Sequence, residues 1–231
     1  MATRTLRPFA SNILHSQTRR LPTTLPRPTT ILSQTQARRT FFPNPFASEK
    51  QTLTASRTLQ YPVSVIYDTI SDVSSYSAFI PYCQSSQVTK TSQPASNGKS
   101  YPEEAKLTIG FNDDVSEAFW SRIYCQPERV VEAVAGLSES ALHPTEVPHH
   151  NARPPVEQDP TRNEAVLTQL ATTWTLRPAE GKTDVSLAIE YQFANPVYGA
   201  LSAAAAPRVA EKMIEAFENR VRDVVAAGKK A

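Results

Sequence analysis

The chain has 231 residues, 20% charged and 40% hydrophobic, with a formal net charge of +2, which is room for one generous domain or two small ones of ordinary globular composition. No stretch approaches the roughly 18 to 20 uninterrupted apolar residues of a membrane-spanning helix. Two cysteines, Cys83 and Cys125, cannot build a disulfide framework, and six glycines supply neither a Gly-x-x-x-x-Gly-Lys phosphate loop nor a Gly-x-Gly-x-x-Gly turn.

Residues 1–48 contain no acidic residue, the first being Glu49, but seven arginines (Arg4, Arg7, Arg19, Arg20, Arg27, Arg38, Arg39) and thirteen Ser or Thr. This composition is that of a mitochondrial presequence, with Arg38-Arg39-Thr40-Phe41-Phe42 similar to an arginine-directed processing site. A basic tail that binds nucleic acid or acidic partners is the other reading of the same charges. Residues 49–231 hold 17 basic and 22 acidic residues, a net charge of about −5. An acidic domain is poorly suited to a phosphate backbone. The expectation is a soluble matrix protein that does not bind nucleic acid.

Gln51 to Leu59 alternate as a strand. Pro62 then opens a helix in which Val63, Ile66, Tyr67 and Ile70 form one apolar stripe. Asp72 is placed to cap a second short helix that buries Val73, Tyr76, Phe79 and Ile80 and stops at Pro81. Strands follow at Ser85–Thr91, around Ala105–Phe111, at Val115–Cys125 and at Arg129–Ala135, with a turn at Pro94–Gly98. Ala165–Leu176 and Thr183–Phe193 read as a long hairpin around residues 177–182. Residues 137–164, with five prolines (Pro144, Pro148, Pro154, Pro155, Pro160), read as an exposed, mobile insertion. A helix ends the chain, its apolar stripe made by Ala210, Met213, Ile214, Phe217, Val221 and Val224, with Pro207 at its start or at a kink.

Strand, two short helices, about six strands and a long helix describe one α+β domain: an antiparallel sheet curled around its C-terminal helix. The inward faces carry Leu107, Ile109, Phe111, Phe119, Trp120, Trp174, Ile189, Tyr191 and Phe193. Two arrangements satisfy this pattern. In one these side chains pack on Met213 and Phe217 as a dry core; in the other they line an apolar pocket.

Three segments carry a family likeness. The first is Arg57-Thr58-Leu59, Pro62–Ile70 and Asp72-Val73-x-x-Tyr76-x-x-Phe79-Ile80-Pro81-Tyr82-Cys83. The second is Ile109-Gly110-Phe111 with Glu117-x-Phe119-x-Ser121-Arg122-Ile123. The third is Phe193-x-Asn195-Pro196-x-Tyr198 followed by Val209-Ala210-Glu211-Lys212-Met213-Ile214-x-Ala216-Phe217-x-x-Arg220. Together, over residues 51–227, they resemble the coenzyme Q-binding protein Coq10 family of the START-like, helix-grip superfamily. Tyr82 stands where that family often has Trp, and the Pro-rich insertion is a departure from its pattern.

The resemblance implies a curved sheet of six or seven strands in residues 49–231. It implies binding of a polyprenylated quinone (coenzyme Q, ubiquinone) without catalysis, in support of respiratory electron transfer and quinone biosynthesis. The implied setting is the matrix side of the inner mitochondrial membrane, touched peripherally, with respiratory-chain or quinone-biosynthesis complexes as partners. Expected ligand contacts are Leu107, Ile109, Phe111, Phe119, Trp120, Trp174, Ile189, Phe193, Met213 and Phe217, behind a gate of Phe79, Ile80, Pro81 and Tyr82 with Tyr198 and Leu201. Arg208, Arg220, Lys229 and Lys230 offer charge to an anionic surface.

Two other classes stay open on the residues. Related helix-grip proteins include polyketide cyclases, and Glu117, Arg122, Tyr124 and Tyr191 are candidates for an acid–base cluster. His143, His149 and His150 would have to supply any metal site, since His15 lies in the presequence. Bacterial relatives of the family are described as ribosome-associated, which makes an interaction module the third reading.

Overall fold

The computed structural model describes residues 49–112, 115–151, 166–197 and 206–228. The expected presequence, Tyr198, Leu201, Lys229 and Lys230 lie outside them. Period-two alternation becomes seven strands among the described residues: β1 (Gln51–Leu59), β2 (Cys83–Thr91), β3 (Pro102–Asn112), β4 (Val115–Gln126), β5 (Val130–Gly136), β6 (Leu167–Ala179) and β7 (Lys182–Phe193). All neighbours are antiparallel and form one sheet in the order β1-β7-β6-β5-β4-β3-β2. Three register shifts interrupt the β2–β3 ladder along the β2 edge, a device that blunts edge-to-edge pairing.

Helix α1 spans Val63–Ser71 and buries Ile66, Tyr67 and Ile70, as its stripe requires; Pro62 sits one position earlier, as the N-cap. The second short helix is a 3₁₀ turn, Val73–Ala78, and Asp72 does not cap it through its side chain. Asp72 Oδ1 instead accepts the Ser74 hydroxyl, and its main-chain carbonyl accepts the Ser75 N–H. Helix α2 covers Ala206–Gly228 and carries Pro207 in its first turn, where a missing N–H costs nothing. Ala210, Ile214, Phe217 and Val221 form its buried stripe, while Val224 is exposed. On its wet side Arg57 of β1 reaches Glu211 at 2.9 Å and Glu218 at 3.9 Å.

The six-residue loop expected at 177–182 is absent. β6 and β7 pair down to Ala179 and Lys182, leaving a two-residue turn at Glu180-Gly181. Gly181 makes this possible by taking a φ of 68°, a region that costs other residues about 1 kcal/mol or more.

The larger correction concerns the Pro-rich segment. Residues 137–151 are not a loose excursion: Val147, His149 and His150 are buried, and only 152–165 lie outside the described residues. The segment is a strap held by polar anchors. Buried Glu132 points to the convex side of β5 and accepts the Ala141 N–H at 3.1 Å and the Ser140 hydroxyl. The Cys125 N–H donates to His150 Nε2 at 2.9 Å. Glu103 accepts the Asn151 N–H at 2.8 Å and pairs with Lys90 at 2.9 Å. Burial alone would raise the Glu103 carboxyl, but these bonds hold it below the usual range. Counting prolines did not reveal a strap, because its attachment runs through single side chains spread over three strands.

Two consequences are measurable. Gly136 has a φ of 63°, and a Cβ there would lie 2.2 Å from the Thr168 carbonyl oxygen. Gly136→Ala should cost at least about 2 kcal/mol in denaturant unfolding, against about 1 kcal/mol for Gly181→Ala, which meets open space. His150 uses Nε2 as an acceptor and so is neutral. Burial, and His149 beside it with ring centroids 4.5 Å apart, push it down to about 4; burial also lowers His149. Both unfold to ordinary imidazoles that protonate near pH 6.5. The strap's contribution is therefore complete above pH 6.5 and declines as pH falls towards 4. Urea midpoints measured across that window should drop, and His150→Gln, which keeps an acceptor for the Cys125 N–H, should flatten most of the slope.

Candidate functional site

Strand parity decides which side chains face α2. On β3 these are Ala105, Leu107 and Ile109; on β4, Glu117, Phe119, Ser121, Ile123 and Cys125. On β6 they are Leu170, Trp174 and Leu176, and on β7, Val185 through Phe193 at every second position. Pairing sets Leu107 opposite Phe119, Ile109 opposite both Cys83 and Glu117, and Trp174 opposite Leu187 and Val131.

Burial along these faces has a direction. Near α1, Ile123, Cys125, Val185, Leu187, Leu176 and Val221 are buried. Towards the other end Leu53, Leu107, Ile109, Phe119, Leu167, Leu170, Phe193 and Met213 are only half-buried. Five strands show the same gradient in register, whereas the α2 stripe is buried along its length from Ala210 to Val221 and Met213 lies at its side. One end of the concave face is therefore closed by α1, and the other ends in a ring of incompletely covered apolar side chains. At that end β5 has already left the sheet at Gly136, so among the described residues no strand pairs with residues 115–120 of β4 on the β6 side. The Glu117 carboxyl bridges this seam by accepting the Val166 N–H at 3.2 Å.

The expected contacts divide accordingly. Leu107, Ile109, Phe119, Phe193 and Met213 gather at the half-buried end with Phe79 and Pro81, and Tyr82 stands on the lip, 41% exposed at a φ of 66°. Trp174, Phe217, Ile189 and Ile80 belong to the core. Phe217 meets Trp174, Phe79 and Tyr76 edge-on, with ring centroids 4.5, 5.0 and 5.2 Å apart. This aromatic knot packs Trp174 and Phe217 within the core, with Phe79 and Tyr76 partly buried against it. Trp120 was counted inward with Phe119, but consecutive strand residues face opposite ways; it lies on the convex face under Lys106, 5.2 Å from the ring centre. The Phe111 side chain is outside the described residues. Leu53, Leu167 and Leu170 were missed, although strand alternation places them on the inward faces.

The proposed acid–base cluster is not brought together. Glu117 and Tyr191 face inward, with Tyr191 donating to Gln51 at 2.8 Å, whereas Arg122 reaches the Ser138 carbonyl and Tyr124 packs on His150 from the convex side. Burial pushes the Cys125 thiol up to about 12, and both cysteines are free and buried. No group of three or more His, Cys, Asp or Glu that could hold a metal occurs among the described residues.

A sheet gripping its C-terminal helix, closed at one end and apolar at the other, is the frame of a helix-grip protein. The family model for polyketide cyclase/dehydrase and lipid transport matches residues 59–218, and the chain belongs to that family. Within it, the chain is a member of the coenzyme Q-binding Coq10 group. It is 30% identical to the mitochondrial coenzyme Q-binding protein COQ10 of Eremothecium gossypii, over 90% of this chain and 89% of that one. It is also 28% identical to the coq10 protein of Schizosaccharomyces pombe, over 73% and 85%. Among solved structures, a START superfamily protein from Mycobacterium smegmatis superposes with a TM-score of 0.53 at 15% identity, covering 75% of this chain and 98% of that one. The Zhui aromatase/cyclase from Streptomyces sp. R1128 gives 0.53 at 12%, covering 77% and 96%. Those two likenesses concern the fold.

The division between knot and rim has a stability signature. Phe217→Ala should cost about 3 to 5 kcal/mol, whereas Met213→Ala, at a half-buried position, should cost about 1 kcal/mol or less; chemical denaturation of both variants checks it.

Proposed function

We propose that the half-buried end of the concave face takes up a polyprenylated quinone, coenzyme Q, and that the protein carries it without chemical change. The observation that carries this reading is the burial gradient: inward apolar side chains on five strands lose their cover together at one end. Shielding a hydrocarbon tail there gains roughly 25 cal/mol per Å² removed from water, which demands a continuous apolar surface and few polar groups. Leu107, Ile109, Phe119, Leu170, Phe193 and Met213 meet that demand. The names of the two fungal relatives support the same ligand.

The split of Arg122 and Tyr124 from Glu117 and Tyr191 across the sheet supports a carrier over an enzyme. Residues 1–48 act as a presequence and residues 49–231 as the working domain on the matrix side of the inner membrane, where the protein supports electron transfer and quinone biosynthesis. The ligand enters past Phe79, Pro81 and Tyr82. Phe79 also lies under the Arg220 guanidinium, 5.7 Å from its ring centre.

An organic extract of the purified protein, analysed by mass spectrometry, should contain a polyprenylated quinone. Ile109→Asp and Phe193→Asp place a charge among half-buried residues and should lower quinone per protein by at least about tenfold, with circular dichroism unchanged. An extract free of quinone, or full retention in both variants, would sink the reading.

A further inference from the structure

Most hydroxyl and carboxyl groups that face α2 from β4, β6 and β7 serve the fold. The Glu117 carboxyl accepts the Val166 N–H at 3.2 Å, Tyr191 donates to Gln51 at 2.8 Å, and Thr183 donates to the Tyr61 carbonyl at 2.9 Å. Two hydroxyls depart from this pattern. Ser121 of β4 and Thr172 of β6 face inward by the same alternation that turns Ile123 and Trp174 inward. Neither hydroxyl has a hydrogen-bond partner among the described residues. Both residues are only half-buried, while the next inward residue on each strand, Ile123 or Trp174, is buried. The two hydroxyls therefore stand at the inner limit of the half-buried end.

Between them runs β5, the middle strand of the sheet, and it presents alanine. Ser121 pairs with Ala135 and Thr172 with Ala133, so the hydroxyls lie diagonally across β5 with two methyl groups between them. Ala105 of β3, which pairs with Ser121, extends the row of small side chains. Ala133 is half-buried although Glu132 and Val134 beside it are sealed on the convex face at 2% and 1% exposure. Its exposed surface therefore opens on the concave side, where α2 leaves the space above it unfilled. Leu107, Phe119 and Leu170 stand on the mouth side of this hollow, Ile123 and Trp174 on the α1 side.

The spacing of the hydroxyls has a chemical meaning. With strands about 4.8 Å apart and a rise of about 3.3 Å per residue, Cα atoms two strands and two residues apart are separated by about 12 Å, and concave curvature brings inward side chains closer. The two carbonyl oxygens of a para-quinone lie about 5 Å apart and, with a hydrogen bond of about 2.8 Å at each, span about 11 Å. Hydroxyls donate to such oxygens, and an alanine floor leaves room for a flat ring.

We infer that the quinone binds ring-inward, its ring over Ala133 and Ala135 and its two carbonyls accepting from the Ser121 and Thr172 hydroxyls, with the prenyl tail running back along Leu107, Phe119 and Phe193 to the mouth. The inference rests on the quinone reading and adds to it the orientation of the ligand and the residues that recognise its ring. The reverse orientation, tail innermost, sets both hydroxyls against hydrocarbon and leaves them unbonded.

Trp174 follows Thr172 on the same face of β6, and a quinone ring beside an indole quenches its emission. Trp120→Phe, on the convex face, leaves Trp174 as the chain's single tryptophan. Titrating this full-length variant with decylubiquinone should quench most of the Trp174 emission. In the same background Ser121→Ala and Thr172→Val should each weaken decylubiquinone binding by about fivefold. Both should leave unchanged the binding of n-decylbenzene, which has the tail and no carbonyl. Ala133→Leu, which fills the hollow, should weaken decylubiquinone binding by at least about tenfold without lowering the urea midpoint. Decylubiquinone that binds without quenching Trp174, or with an affinity indifferent to Ser121→Ala and Thr172→Val, overturns the placement and leaves the quinone reading standing. A lowered midpoint for Ala133→Leu shows the space to be filled and overturns the placement too. Absence of any decylubiquinone binding to the protein overturns the quinone reading and the placement together.

Discussion

A seven-stranded antiparallel sheet presents an apolar face wider than one helix can cover, and this mismatch governs the molecule. Helix α2 places Ala210, Ile214, Phe217 and Val221 along the middle of that face, and α1 adds Ile66, Tyr67 and Ile70 over one end. The described residues contain no third α-helix for the other end. Away from that covered stripe the same strands continue with the same alternation and less to bury against, and Leu107, Ile109, Phe119 and Phe193 are only half-buried. The incompletely covered end follows from counting faces against covers.

The convex face obeys the same need for cover by different means. Val134 and Glu132 on that side of β5 are buried, and what covers them is the strap rather than a helix. A strap has little regular backbone bonding of its own, so it depends on carboxyls and an imidazole accepting N–H groups that would otherwise be stranded. Glu132 and Glu103 on the strands and His150 on the strap therefore hold it in place.

The sheet, the stripes of α1 and α2 and the order of elements were legible because periods of 2 and 3.6 write themselves along the chain. The depth of burial was not. Trp174 and Met213 both read as inward, but only neighbours remote in sequence decide that Trp174 is locked by Phe217 and Met213 stands at the rim. Trp120 was misread by treating a doubly apolar strand as if both faces were interior. The turn at Glu180-Gly181 was hidden by Pro178, which suggested a loop although its missing N–H is tolerated near a strand end. The strap went unseen because composition reports polarity and proline content, and a chain anchored by a few specific acceptors looks the same as an unanchored one.

The early departure of β5 at Gly136 has a mechanical meaning. Over most of its width the sheet is a continuous fabric, and widening it would break rows of main-chain bonds. Between residues 115–120 and the start of β6 the fabric is slit, and the only stitch described across the slit is the Glu117 carboxyl on the Val166 N–H. A slit collar can flare where a seamless one must tear. Among the described residues, the open end is thus held across this slit by one side-chain hydrogen bond, while the weave around α1 is continuous.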